Sequence, residues 1–302
     1  MTQRCRIARR ALLLSTCALL LGHAGAAAED KPKRKILFFT KSAGFEHDVV
    51  KRKGEELGLA EKTLIEVGKK HGFEVTATKD GRVFDGDLSK YDAFFFYTTD
   101  NLLVPGNDKQ PPMSAQGKVN LLKAIEGGKG FLGSHCASDT FHTPGSRFEN
   151  QAKPDDFLAM LGGEFIRHGP QQEAKVQVTD TKFPGHQVTG GTYKIMEEWY
   201  SLKNFAPDIH VISVLETEGM KGLDYRRPPF PIAWARKHGK GRVYYSALGH
   251  REDVWTSAMF QEMLRGAMAW ACGDAEADLT PNLAKTAPQA SVMPPEKEEK
   301  KK

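Results

Sequence analysis

The sequence predicts an α/β domain built on an open, mostly parallel sheet with helices on both faces. Three observations predict it: short runs that are apolar throughout, helix-period segments between them, and glycines where the helices stop. A strand with no polar face is covered on both sides, which is characteristic of parallel sheets. Strand–helix–strand repeats close right-handedly over such a sheet.

Lys35 to Thr40 is the first apolar run. A helix follows over Glu55 to Lys70, with Leu57, Leu59, Leu64, Ile65 and Val67 apolar and His71-Gly72 as its stop. Phe73 to Thr78 alternates as a second strand, and Tyr91 to Thr98 is a third, strongly apolar one. Ser114 to Glu126 reads as a helix ended by Gly127-Gly128, and Gly130 to Gly133 as a fourth strand. The second half is richer in strands, with candidates at Ala174–Val178, Lys194–Leu202, His210–Leu215, Ile232–Arg236 and Arg242–Ala247. Gly239-Lys240-Gly241 joins the last two as a C-terminal hairpin, and Met259 to Cys272 closes the domain as an amphipathic helix.

The flanks differ from this domain, which spans residues 33–273. Residues 1–28 read as a signal peptide: Arg4, Arg6, Arg9 and Arg10 are followed by an apolar run too short to span a bilayer, and then by small-residue cleavage sites around Ala24 to Ala28. The expected destination is the periplasm or the extracellular space, and Arg9-Arg10 leaves general and twin-arginine export both open. No later stretch is long and apolar enough to cross a membrane. Residues 274–302 hold four prolines, end in a run of Glu and Lys, and lack apolar periodicity, so this tail is expected to be disordered.

Charge and cysteine content exclude some classes. The chain carries +5, of which the four leader arginines supply +4, so the remainder is near neutral. Binding to nucleic acid needs clustered basic contacts and is not expected. Only Cys136 and Cys272 remain after the leader, and a domain this long does not depend on one disulfide. The paired glycines at 127–128, 162–163 and 190–191 do not form Gly-x-Gly-x-x-Gly after a strand, so no nucleotide cofactor is expected.

In open parallel sheets, ligands bind beyond the carboxyl ends of the strands. His47, His135 and His250 each follow a predicted strand end and lie near a glycine, and His168 follows Gly162-Gly163-Glu164-Phe165 in a loop. Singly, each reads as a structural or surface imidazole. Together they mark a candidate site.

These positions fall within a longer set of motifs. Thr40-Lys41 through Gly44-Phe45 to His47 opens it, and Gly130 to Thr140 follows, containing Ser134-His135-Cys136-Ala137-Ser138-Asp139. Then come Gly162 to Phe165 with His168, Glu197-Glu198-Trp199-Tyr200, Pro231-Ile232-Ala233-Trp234, Gly239 to Arg242, and Tyr245 to His250. In this order they resemble the trehalose-utilisation, or ThuA-like, family over about Lys35 to Cys272.

The resemblance implies a fold like that of class I glutamine amidotransferases. Those enzymes place a cysteine in a Gly-x-Cys-x-Gly elbow; here His135 takes that position and Cys136 stands one place too late. The resemblance further implies action on carbohydrate, with cleavage or isomerisation of a 3-keto-glycoside by a histidine base. On this reading His135 is the base, His250 or His168 polarises the carbonyl, and Asp139 and Glu198 orient the imidazoles. A divalent metal on His135, His168, Glu198 and His250 stays open beside a metal-free site. Substrate is expected against Lys41, Phe45 and His47 with Trp199 and Tyr200, whereas Trp234 and Tyr244 belong to the core. Two other readings stay open: a non-catalytic exported carbohydrate-binding or scaffold protein, and a hydrolase with Cys136 as nucleophile and His168 as its base.

Overall fold

Nine strands form one sheet in the order β2-β1-β3-β4-β11-β10-β9-β6-β7 in the computed structural model of the protein, which describes Thr2 and residues 33–298. The first block is parallel: β1 (Arg34–Phe39), β2 (Phe73–Thr78), β3 (Ala93–Phe96), β4 (Gly130–Ser134) and β11 (Gly241–Ser246). The second block is antiparallel: β10 (Phe230–His238), β9 (His210–Leu215), β6 (Gln172–Val178) and β7 (Thr192–Glu197). The sheet is therefore mixed, and the parallel expectation describes its first half. A separate ribbon pairs β5 (Glu164–His168) with β8 (Tyr200–Lys203) in antiparallel fashion.

Alternation along the buried parallel strands covers both faces. Phe39, Phe96 and Phe131 share one face with Phe84, and with Phe157 of the short helix α3 (Asp156–Leu161). Phe38, one residue earlier, points the other way and meets Phe95 and Trp255 of α4 (Glu252–Thr256). The longer helices begin and end on local signals. In α1 (Leu59–His71) the Glu61 carboxylate accepts from the Gly58 amide at 2.9 Å, and Gly72 closes the helix at φ 82°. In α2 (Ala115–Glu126) the Ser114 hydroxyl accepts from Gly117, and in α5 (Ala258–Ala271) the Ser257 hydroxyl accepts from Phe260. The helix expected from Glu55 starts at Leu59 because Lys53 and Glu56 pair their backbones locally and Gly58 is extended.

Three expectations need correction. Lys194 to Leu202 is not one strand: β7 ends at Glu197 and β8 starts at Tyr200 in the other sheet. The break is fixed from outside, since the Glu197 carboxylate turns to accept from Gly249 and the Trp199 indole donates to the Gln172 carbonyl. His168 is the last residue of β5, opposite Tyr200, and not part of a loop. The segment from 274 to 298 is ordered against the domain. It carries α6 (Leu283–Thr286), buries Ala287 and Ala290, and hydrogen-bonds through Asn282 to both backbone groups of Val211. Arg227 donates to the Ala290 carbonyl at 2.6 Å, and Arg167 donates to the carbonyls of Pro295 and Glu296. Side chains that satisfy the backbone of an irregular segment leave no periodic signal, which is why composition alone suggested disorder. Residues 1 and 3–32, where a signal peptide is expected, and residues 299–302 lie outside the described residues. No helix among the described residues is long and apolar enough to cross a membrane.

One buried imidazole in the second half gives the fold an acid sensitivity. His186 lies against Tyr244, whose hydroxyl is 3.1 Å from Nε2, and burial lowers its pKa from 6.5 to about 4. The unfolded chain binds this proton at a higher pH than the folded one does. The stability His186 contributes is therefore complete above pH 6.5 and is lost as pH falls toward 4. The full span corresponds to about 3 kcal/mol. Melting temperature is expected to fall less steeply across that interval in His186→Gln than in the wild type, and equal slopes would remove His186 as the cause.

Candidate metal centre

Strand ends of the parallel block bring the site together. His47 follows β1 and precedes a short 3-10 turn, His135 caps β4, and His250 follows β11. Glu198 reaches the same place from the other half, at the break between β7 and β8. One ligand atom from each of His47, His135, Glu198 and His250 lies within 4.8 Å of all the others.

His135 adopts φ 45° at the strand-to-turn junction, in the left-handed region that non-glycine residues seldom occupy. Its carbonyl accepts from the Tyr245 hydroxyl at 2.7 Å and from Ser138 at 3.2 Å, which holds the turn. Its Nδ1 lies 3.1 Å from the Ala247 carbonyl. A carbonyl only accepts, so Nδ1 carries the proton and the Nε2 lone pair faces the cluster. His250 is aimed by its neighbour. The Gly249 amide donates to Glu197 at 2.9 Å, while the Gly249 carbonyl accepts from the Tyr97 hydroxyl at 3.0 Å and the Trp255 indole at 2.7 Å.

Two imidazoles meet one carboxylate oxygen. His250 Nδ1 is 3.1 Å and His135 Nε2 is 3.5 Å from Glu198 Oε2, yet neither pair is aligned as a hydrogen bond. His47 Nδ1 is likewise buried without a partner. Two orphaned imidazole nitrogens on one carboxylate oxygen, in a cluster with a third imidazole that also has a buried unpartnered nitrogen, are costly unless something else satisfies them. Burial, then the charges His135 and His250 would carry, hold the His47 pKa well below its ordinary value, so this ring stays neutral and keeps a lone pair. Burial raises the Glu198 carboxyl, but the adjoining His135 and His250 outweigh it and hold the group well below the carboxylate range. Burial raises Glu197, whose oxygens accept from the Gly249 and Glu198 amides.

Three imidazole nitrogens and a carboxylate oxygen suit a divalent first-row ion such as zinc. The second shell agrees at His135, where the carbonyl fixes the tautomer that ligation needs. At His250 the Gln171 amide nitrogen lies 2.9 Å from Nε2, which places the proton on Nδ1. Ligation there requires the Gln171 amide to turn over, so that its oxygen accepts from Nε2.

The structure thus joins His135, Glu198 and His250, and it adds His47, expected against substrate, to the same cluster. His168 stands at the rim, with Nδ1 3.0 Å from the Gly169 carbonyl and 3.4 Å from Glu198 Oε1, and its side chain is 43% exposed. Phe45 is open to solvent and edge-on to His47. The other expectations are corrected. Lys41 is fully buried, paired with Asp108 at 3.1 Å and donating to the Gln110 carbonyl at 2.8 Å, so it braces a loop and touches no solvent. Trp199 is core, and Tyr200 is buried beneath His135 with ring centroids 4.0 Å apart; neither forms an open wall. Asp139 pairs with His142 at 3.1 Å, not with His135. Cys136 is fully buried, and burial with nearby Asp139 raises its thiol well above the usual value. A thiol held protonated and away from solvent is no nucleophile, and the cysteine hydrolase is set aside. Sequence reasoning gave no role to Tyr97, Glu197 or Gln171, which contact the cluster and its Gly249 neighbour from other strand ends.

The fold and site define an α/β protein with a histidine–carboxylate pocket at the carboxyl ends of its parallel strands. The chain belongs to the ThuA, trehalose utilisation, family, whose model matches residues 35–271. Among solved structures it is similar to a thua-like protein from Bacteroides uniformis, with 19% identity, a TM-score of 0.59, and coverage of 87% of this chain and 100% of that one. A thua-like protein from Parabacteroides merdae is also similar, with 15% identity, a TM-score of 0.55, and coverage of 82% and 92%. At these identities the likeness shows the fold alone. The search of curated proteins finds no match.

Proposed function

We propose that the protein is exported and acts on carbohydrate as a metal-assisted enzyme that cleaves or isomerises 3-keto-glycosides, with His47, His135, Glu198 and His250 holding a divalent ion. The observation that carries this reading is the clustering of three imidazoles with one carboxylate, in which His135 Nε2 and His250 Nδ1 face the same Glu198 oxygen and each imidazole has a buried nitrogen without a partner. Such an ion supplies Lewis-acid polarisation of a ketone oxygen. Export rests on the basic and apolar N-terminal pattern. The likeness to class I glutamine amidotransferases rests on the elbow-like turn at His135.

The base moves from His135 to His168. His135 is buried and its free lone pair faces the cluster, whereas His168 is half-exposed at the rim. Its Nδ1–H donates to the Gly169 carbonyl, which leaves Nε2 to accept a proton. In a 3-keto-glycoside the C2 hydrogen is acidified by the ketone. His168 takes that proton, the C2 electron pair forms the C1–C2 double bond, and the C1–O bond breaks with its pair on the departing oxygen, which is then protonated. Water adding across the double bond completes hydrolysis. Tyr200, stacked on His168 at 15° and under His135, keeps both rings in place.

Elemental analysis of the purified protein, paired with turnover of 3-keto-glycosides, tests this reading. The expected result is about one divalent ion per chain and activity that chelation removes and re-addition restores. Full activity in metal-free protein would overturn the metal. Bound metal and bound sugar without turnover would replace the enzyme with a carbohydrate-binding protein.

A further inference from the structure

We propose that the cleft beside His250 is a subsite for a second, neutral sugar ring with Phe45 as its stacking platform, so that the protein takes disaccharides or larger glycosides in preference to a single sugar. Its catalytic meaning rests on the function proposed above; its binding does not.

The cleft has a volume of about 410 Å³ and adjoins the candidate centre through His250, which lines both. On one wall stands Phe45, 67% exposed and the one aromatic among the large exposed apolar side chains of the described residues. A single exposed apolar residue is ordinary in a mobile loop. This loop is pinned on both sides of the ring. The Gly44 amide donates to the Thr99 carbonyl, the Gly44 carbonyl accepts from Asn107 at 2.6 Å, and the Phe45 carbonyl accepts from the Thr99 hydroxyl at 3.0 Å. The ring also stands edge-on to His47, with centroids 5.0 Å apart. A phenyl group held in water by that many bonds, at the lip of a pocket, is preorganised for a ligand with an apolar face.

The same cleft has a polar lining in Gln171, Arg251 and Asp253. The Arg251 guanidinium is held by the Asp253 carboxylate at 2.9 and 3.0 Å, and the Gln171 side-chain amide stands between it and His250, 2.8 Å from the one and 2.9 Å from the other. Fixed planar donors and acceptors in one cleft with an aromatic platform match a pyranose, whose ring hydrogens form an apolar face edged by hydroxyls. Asp48, Glu252 and Asp253 line the cleft against the single cation Arg251, so the field disfavours phosphorylated sugars and selects a neutral one.

Calorimetric titration of the full protein with α,α-trehalose and with methyl α-glucoside tests the subsite, using the wild type, Phe45→Ala and Arg251→Met. The wild type is expected to bind trehalose at least about tenfold more tightly than the methyl glucoside. Phe45→Ala should remove most of that preference with the melting temperature and metal content unchanged, because the ring is exposed. Arg251→Met should also weaken trehalose. Equal wild-type affinities, no trehalose binding, a preference that survives Phe45→Ala, or tighter binding of trehalose 6-phosphate would each overturn the proposal. A preference that depends on Phe45 in a protein with no turnover would keep the subsite and sink the enzyme; turnover with no such preference would do the reverse.

Discussion

Glu198→Gln is expected to strip the proposed centre of its ion and of its activity while leaving the fold in place. Among the described residues Glu198 is the carboxylate that joins the imidazole cluster, 3.1 Å from His250 and 3.5 Å from His135, and its other oxygen is 3.4 Å from His168. Gln keeps the shape and removes the charge, so the ion would sit among neutral donors. Loss of an outer-shell partner alone costs roughly 10–100-fold in metal affinity, and loss of a ligand should exceed about 100-fold. Metal content after dialysis and turnover of a 3-keto-glycoside should fall together, with the melting temperature in chelator little changed. Retention of metal and of turnover would remove Glu198 from the centre. His250→Ala should act in the same direction, and its agreement with Glu198→Gln would separate a shared ion from two independent defects.

The parallel half of the sheet and the edge that holds the candidate site were legible in the sequence, for a physical reason. β1, β3 and β4 are covered on both faces, so their burial leaves runs of Phe and Leu that need no knowledge of partners. His47, His135 and His250 were conspicuous because each follows such a run. What escaped depends on partners far along the chain. Nothing local in Lys194 to Leu202 shows that the Gly249 amide will take Glu197 or that Gln172 will take the Trp199 indole, and those two bonds create the break that presents Glu198. Lys41 looked like a substrate contact because its partner, Asp108, is 67 residues away. Trp199 and Tyr200 looked like an open sugar wall, but an aromatic beside a motif carries no sign of which way it faces. The tail escapes for the converse reason, since Asn282 and Arg227 order it through backbone groups and its composition stays that of a solvated segment.

Gly249→Ala should damage stability and site at once. At φ 121° any side chain is strained, and an added Cβ would stand 2.7 Å from Ser134 Oγ, which is itself pinned to the Leu248 carbonyl at 2.7 Å. The shift needed to relieve that contact pulls on three buried bonds, from Gly249 to Glu197, Tyr97 and Trp255. Backbone strain of about 1–3 kcal/mol with part of those bonds lost gives a destabilisation on the order of 3 kcal/mol, or a fall of roughly 10 °C in melting temperature. Gly219→Ala separates the terms: Gly219 has φ 79° with nothing within 4 Å of a Cβ, so it should show the strain alone, about 1 kcal/mol. Adding Ser134→Ala to Gly249→Ala removes the obstructing oxygen and should restore part of the loss, a coupling that a double-mutant cycle reads directly. Because Gly249 aims His250, metal content should fall with stability in Gly249→Ala and stay at the wild-type level in Gly219→Ala. A Gly249→Ala protein as stable and as metal-loaded as the wild type would mean that the loop is free to move, and that His250 is not held in place by its neighbour.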